Sequence, residues 1–119
     1  AVAVSSNPIG IDIETIRNVQ PSLVAKTMNI DEQNKISQAI DSKLAFTQLW
    51  TKKEAYAKMT GEGLSSVINS NHNNVSVNLL CFEFYNNSNA YSLSCATSQQ
   101  ISNVDFYNNL SNIKIIKSL

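Results

Sequence analysis

An α+β fold, with a strand leading into helices and then into an antiparallel meander, is what this sequence predicts. Three observations carry that prediction. Ile9, Ile11 and Ile13 alternate with Gly10, Asp12 and Glu14, the period-two signature of a strand. From residue 43 to Thr60 the apolar positions Leu49, Tyr56 and Met59, extended by Phe46 and Ala45, fall at helical spacing. After Gly61-Glu62-Gly63 the period changes again, and strand-forming residues dominate two runs separated by asparagines. No repeat, low-complexity linker or second domain is found, so residues 1–119 are read as a single domain.

Taken in order, Val2-Ala3-Val4 is expected as a short strand, separated by Ser5-Ser6-Asn7-Pro8 from the strand of residues 9–14. Pro21 suits a first helical position and opens a short helix through Met28. Asp31 is an expected N-cap for a second short helix ending near Ile40, and Asp41 or Ser42 for the long helix of residues 43–60, which Gly61 stops. Residues 75–85 and 90–97 read as strands joined by the hairpin loop Asn86-Asn87-Ser88-Asn89. The tail fits either a strand around Ile113-Lys114-Ile115-Ile116 or a helix.

Composition narrows the function classes. Nine basic residues balance nine acidic ones, which argues against a nucleic-acid footprint. No uncharged apolar stretch of about 18 residues is present to span a membrane. The start has no basic region, and Pro8 and Asp12 follow too early for a secretory signal, so a cytoplasmic location is expected. The sequence begins at Ala1 without an initiator Met, consistent with a piece of a longer protein. Cys81 and Cys95 lack Cys-x-x-Cys spacing and a nearby His, which leaves two buried thiols or a cross-strand disulfide. His72 stands alone in an Asn-rich loop with no partner for a triad, and Asn74-Val75-Ser76 is a chance sequon in a chain with 16 asparagines. Seven of the nine carboxylates and seven of the nine basic residues precede Leu64, so charge-dependent chemistry belongs to the first half and the second is largely scaffold.

Within that first half, Asp12 and Glu14 lie two apart on a strand, so both carboxylates leave the same face. Two such charges raise each other's pKa unless a cation lies between them, and a hard divalent ion such as Mg²⁺ is the natural one. The ordinary alternative is a pair of solvated side chains. Glu54 and Lys58 are four apart on the long helix in the favourable order, which by itself reads as a surface ion pair of about 0.3–0.5 kcal/mol. Trp50 and Tyr56 read as core aromatics, and Gly61-Glu62-Gly63 as a helix stop or as a close approach of backbone to a ligand.

Taken together, Pro8-Ile9-Gly10-Ile11-Asp12-Ile13-Glu14 and Trp50-Thr51-Lys52-Lys53-Glu54-Ala55-Tyr56-Ala57-Lys58, followed by Gly61-Glu62-Gly63-Leu64-Ser65, resemble the two signatures of the 4′-phosphopantetheinyl transferase superfamily. The Trp-Thr start and the Gly-x-Gly-Leu-Ser run look closer to the large, surfactin-synthetase-activating type. The length is that of the small, holo-acyl-carrier-protein synthase type. Tyr91-Ser92-Leu93-Ser94-Cys95-Ala96 resembles, more loosely, the family's last core strand.

The resemblance implies a half-domain in which an antiparallel sheet packs against one long and two short helices, matching the C-terminal half of a two-half enzyme. It implies Mg²⁺ held by Asp12, Glu14 and Glu54, coenzyme A as substrate with its phosphates on Lys58, and Glu54 as base for a serine of an acyl or peptidyl carrier protein. It also implies that residues 21–40 help to form the carrier contact. Large-type members carry a Ser-His pair shortly before the Gly-Ile-Asp strand, and residues 1–8 contain no His. Small-type members place their sites between the subunits of a trimer, which makes a homodimer or homotrimer an expected assembly.

Overall fold

The computed structural model describes residues 2–68, 77–86 and 88–100, together with the backbone of 114–118. His72, the 74–76 sequon and the start of the strand expected from residue 75 lie outside the described residues. Among the described residues eight elements follow one another: β1 (Ile9–Thr15), α1 (Pro21–Thr27), α2 (Ile30–Gln38), α3 (Ser42–Thr60), α4 (Leu64–Val67), β2 (Asn78–Asn86), β3 (Asn89–Thr97) and β4 (Lys114–Ser118). The strands form one antiparallel sheet in the order β1-β3-β2-β4, with α3 packed against it and α2 and α4 packed on α3. The α+β architecture, with an antiparallel sheet against one long and two short helices, is as the sequence predicts, with α4 added. The tail's strand alternative is the one realised, as β4 on the edge of β2. Tyr91–Ala96 falls in β3, an interior strand flanked by β1 and β2.

Val2-Ala3-Val4 is not a strand. Val2 and Val4 are exposed, and the chain bends through Ser5–Asn7, where the Asn7 backbone N–H donates to Ser5 Oγ at 3.2 Å. The Asn7 amide then donates to Gln99 Oε1 at 3.0 Å, tying the bend to the far end of β3. A β-run without a partner strand leaves its backbone to water, and Pro8 further restricts the residue before it.

The helix boundaries follow local chemistry. Pro21 opens α1. The cap of α2 is Asn29 and not Asp31: Asn29 Oδ1 accepts from the Glu32 N–H at 2.9 Å while Glu32 Oε2 accepts from the Asn29 N–H at 2.9 Å. This reciprocal arrangement satisfies two otherwise orphaned donors, and it leaves Asp31 in the first turn. Asp41 caps α3, accepting from the Leu44 N–H at 3.0 Å. Gly61 ends it with φ at 75°, a left-handed conformation that an L side chain adopts only with strain. Gly61–Gly63 therefore acts as a helix stop, and Gly63 caps α4, a turn that propensity alone does not announce.

α3 is the spine of the molecule. One flank packs Ala55, Tyr56 and Ala57 against Val67 of α4 and Ala96 of β3. The other packs Phe46 with Met28 and Ile36 of the α1–α2 arm, where Trp50 stacks on Phe46 with centroids 6.2 Å apart. Between α3 and the sheet lies a buried polar layer. The hydroxyls of Thr51 and Ser94 are 2.8 Å apart, and Ser94 Oγ donates to Cys81 Sγ at 3.4 Å. Farther along, Glu83 is buried and accepts from Gln48 Nε2 at 3.2 Å and from the Tyr85 hydroxyl at 2.9 Å. That bond, formed with a carboxylate, holds the Tyr85 phenol above its ordinary pKa.

The register settles the cysteines. Cys81 pairs with Ser94 and Leu80 with Cys95, so consecutive residues on each strand place the two thiols on opposite faces of the sheet. Neither forms a disulfide, and burial pushes the Cys95 thiol upward in pKa.

Candidate functional site

The site is built where β1 passes under α3. Gly10, Asp12 and Glu14 share the helix-facing side of β1, while Ile13 on the other side is exposed. The approach is close enough that a Cβ at Gly10 would lie 1.9 Å from the Ala55 carbonyl oxygen and 2.5 Å from the Met59 nitrogen. Glycine at this position lets the strand meet the last two turns of α3, where Glu54 and Lys58 sit. The register extends the same face across the sheet, with Asp12 opposite Ser94 and Glu14 opposite Ser92. The solvated-face alternative for Asp12 is thereby excluded: only 10% of its side chain is exposed.

Lys58 does not pair with Glu54 in the manner of a simple i,i+4 surface bridge. Its ammonium reaches across to β1 and donates to Asp12 Oδ1 at 2.7 Å, with half of the lysine side chain still in water. The other oxygen, Asp12 Oδ2, is buried and has no hydrogen-bond partner among the described residues. A carboxylate oxygen out of water and without a donor is costly, and such orphans in folded proteins call for an explanation. Glu54 shares this electrostatic environment. Desolvation is the first cause that raises its pKa above the ordinary 4.5, the Asp12 charge the second, and Lys58 opposes them while Glu14 adds to them. Asp12, Glu14, Glu54 and Lys58 are therefore brought into one electrostatic cluster from two elements.

Among the described residues, no three His, Cys, Asp or Glu side chains converge closely enough to ligate one ion as they stand. The donor set nonetheless suits a hard cation: three carboxylates within mutual electrostatic reach, one of them with a buried unpartnered oxygen, and a single half-exposed ammonium beside them.

A residue that the sequence reading passed over lies directly beside Glu54. Lys53 is buried at 3% exposure, its ammonium 2.7 Å from Glu32 Oε2, and it also donates to the carbonyls of Thr27, at 3.2 Å, and Ile68. One side chain thus joins the ends of α1 and α4 and the start of α2 to α3. The signal was present in the sequence: Phe46, Leu49, Trp50 and Ala57 lie at −7, −4, −3 and +4 from Lys53, which places it in the middle of an apolar stripe.

The chain matches the 4′-phosphopantetheinyl transferase superfamily over residues 8–108, a span that includes every residue of this cluster. It belongs to that superfamily. Over 70 residues it is 39% identical to the 4′-phosphopantetheinyl transferase psf-1 of Bacillus pumilus and 37% identical to the 4′-phosphopantetheinyl transferase gsp of Aneurinibacillus migulanus. Each alignment takes in 57% of this chain and 30% of the relative, so the chain spans about a third of the length of these superfamily members. No helix among the described residues is long and apolar enough to cross a membrane.

The raised pKa of Glu54 gives this superfamily member a definite pH signature in the absence of ligands. A carboxyl whose folded-state pKa exceeds its unfolded value binds its proton more tightly when folded. It therefore costs stability as pH rises from the unfolded pKa through the folded one, and the cost is full above that. Glu54→Gln is expected to raise the urea midpoint at neutral pH, and the gain should vanish well below pH 4.5. A gain that is the same at every pH would mean that charge is not the cause.

Proposed function

We propose that this chain supplies the cation- and phosphate-handling face of a 4′-phosphopantetheinyl transferase, an enzyme that moves 4′-phosphopantetheine from coenzyme A to a serine of an acyl or peptidyl carrier protein. The observation that carries this reading is the Asp12 carboxylate, nine-tenths buried, with one oxygen on Lys58 and the other unpartnered, beside a Glu54 whose proton is held above the ordinary range. Superfamily membership and the names of the two relatives supply the substrate class.

In this reading Asp12, Glu14 and Glu54 would hold Mg²⁺, which when bound neutralises and orients the coenzyme A pyrophosphate. Lys58, on a flexible stem in the last turn of α3, neutralises phosphate charge and steadies the leaving group. The carrier serine oxygen attacks the β-phosphorus, a new P–O bond forms, and the bond from the β-phosphorus to the bridging oxygen breaks. The leaving group is 3′,5′-adenosine diphosphate. Glu54 takes the serine proton, directly or through water, and its raised pKa moves it toward the range in which a carboxylate is an effective base. The arm formed by α1 and α2 is assigned to carrier contact.

The test is turnover of coenzyme A with an apo carrier protein and Mg²⁺, read by the mass of the modified carrier. Activity is expected to fall by at least about a hundredfold in Asp12→Ala and Glu54→Ala, the scale of losing a positioned acid–base or electrostatic group. Mg²⁺-dependent coenzyme A binding should fall with it. Unchanged binding in both variants would overturn the site assignment.

The coverage of only 30% of each relative favours a second reading: a half-domain that binds coenzyme A, metal or carrier protein and is active only with a complementary half or as a homodimer or homotrimer. Light scattering with and without coenzyme A and Mg²⁺ separates the two readings. A monomer that binds both ligands but does not turn over supports the second.

A further inference from the structure

We propose that the Lys58 ammonium is a built-in competitor for the divalent cation, seated on Asp12 in the ligand-free site and obliged to leave that carboxylate when a metal ion binds there. The inference rests on the reading of this cluster as a metal site and adds a property of the chain that the reading does not contain.

Lys58 Nζ is 2.7 Å from Asp12 Oδ1, within the range of a charge-assisted hydrogen bond. An ammonium at that distance and a divalent cation on the same carboxylate would repel each other at close range in a partly desolvated setting. A cation on the unpartnered Oδ2 would sit beside the ammonium on Oδ1, so each weakens the other's hold on Asp12. The lysine can yield: half of its side chain is in water, and among the described residues its ammonium donates to this single carboxylate. Lys53, one turn and a residue earlier, is the contrasting case. It is buried with three acceptors, and no such exchange is open to it.

Two consequences follow. A metal ion alone binds more weakly than the three carboxylates would otherwise allow. A metal ion and a diphosphate ester favour each other's binding, because the ammonium displaced by the first is available to the second.

The test is titration of the native chain and Lys58→Met with Mn²⁺ alone, the free ion being read by electron paramagnetic resonance. Removing the competitor is expected to tighten Mn²⁺ binding about five- to tenfold, the scale of one partly exposed ion pair together with the removed repulsion. Adding Asp12→Asn to Lys58→Met should abolish that gain. Lys58→Gln carries the same expectation with a polar side chain, should the methionine variant fold poorly. If the native chain binds Mn²⁺ and neither Lys58 variant binds it more tightly, the exchange is wrong while the metal site stands. If neither the native chain nor either variant binds Mn²⁺, the metal site itself is wrong and the exchange falls with it.

Discussion

Replacing Lys53 by methionine is expected to cost about 3–5 kcal/mol of folding stability, the range for breaking a buried ion pair by removing one partner. Three groups lose their donor at once: the Glu32 carboxylate and the carbonyls of Thr27 and Ile68. Glu32 is itself only 15% exposed, so its charge would be left with little solvent to stabilise it. Its remaining bond, from the Asn29 N–H, belongs to the α2 cap, so the damage would spread to that helix start. Methionine fits the stem's path along the apolar flank of α3, which confines the loss to the ammonium. Urea unfolding measures the effect, and Lys43→Met at the exposed start of α3 serves as a control expected within about 0.5 kcal/mol of native. Adding Glu32→Gln to Lys53→Met should recover part of the loss, since a carboxamide oxygen can still accept from Asn29 and carries no charge. A Lys53→Met chain as stable as native would mean that this pair contributes nothing beyond its own desolvation cost. With typical domains stable by about 5–15 kcal/mol, the expected loss is a large share of the whole.

What was legible in the sequence is what period and capping chemistry encode. Alternating isoleucines placed β1, helical spacing placed α3, Pro21 and Gly61 set one end each of α1 and α3, and the asparagine-rich turn placed the β2–β3 hairpin. Asp12, Glu14, Glu54 and Lys58 could be named because the two motifs carry them. The errors have a common origin in partners that sequence does not show. Val2-Ala3-Val4 has strand composition but no strand beside it. Asp31 is a good cap residue, but Asn29 has Glu32 three residues ahead to complete the reciprocal bonds. The Glu54–Lys58 spacing suggested a pair along one helix, and the lysine instead found Asp12, 46 residues earlier, because β1 runs directly beneath that turn. Lys53 was hidden by residue type: lysines are rarely buried, so a lysine on an apolar stripe is easily taken for surface. The second half was expected to be mainly scaffold. Glu83 fits that expectation, a buried carboxylate held by Gln48 and Tyr85 at the other end of the polar layer.

Gly10→Ala is the substitution with the most direct consequence for the site, and it should cost about 3 kcal/mol or more. Overpacking a core usually costs about 1–3 kcal/mol, when flexible side chains can give way. Here the added carbon meets backbone, the Ala55 carbonyl at 1.9 Å and the Met59 nitrogen at 2.5 Å, so β1 and α3 must move apart. The other two glycines provide an internal scale. Gly61→Ala meets no atom within 4 Å but must adopt a φ of 75°, which costs roughly 1 kcal/mol. At Gly63 φ is −65° and the nearest atom is Ser65 Oγ at 3.7 Å, so alanine there should lose only the modest preference of a helix cap for glycine, well under about 1 kcal/mol. The expected order of loss in urea unfolding is Gly10, then Gly61, then Gly63. Because Asp12 and Glu14 ride on β1 while Glu54 and Lys58 ride on α3, separating the two elements should also weaken Mn²⁺ binding by the folded Gly10→Ala protein, an effect absent from the other two variants. Gly61→Ala losing more stability than Gly10→Ala would mean that β1 does not pass this close to α3, and the cluster built on that crossing would have to be redrawn.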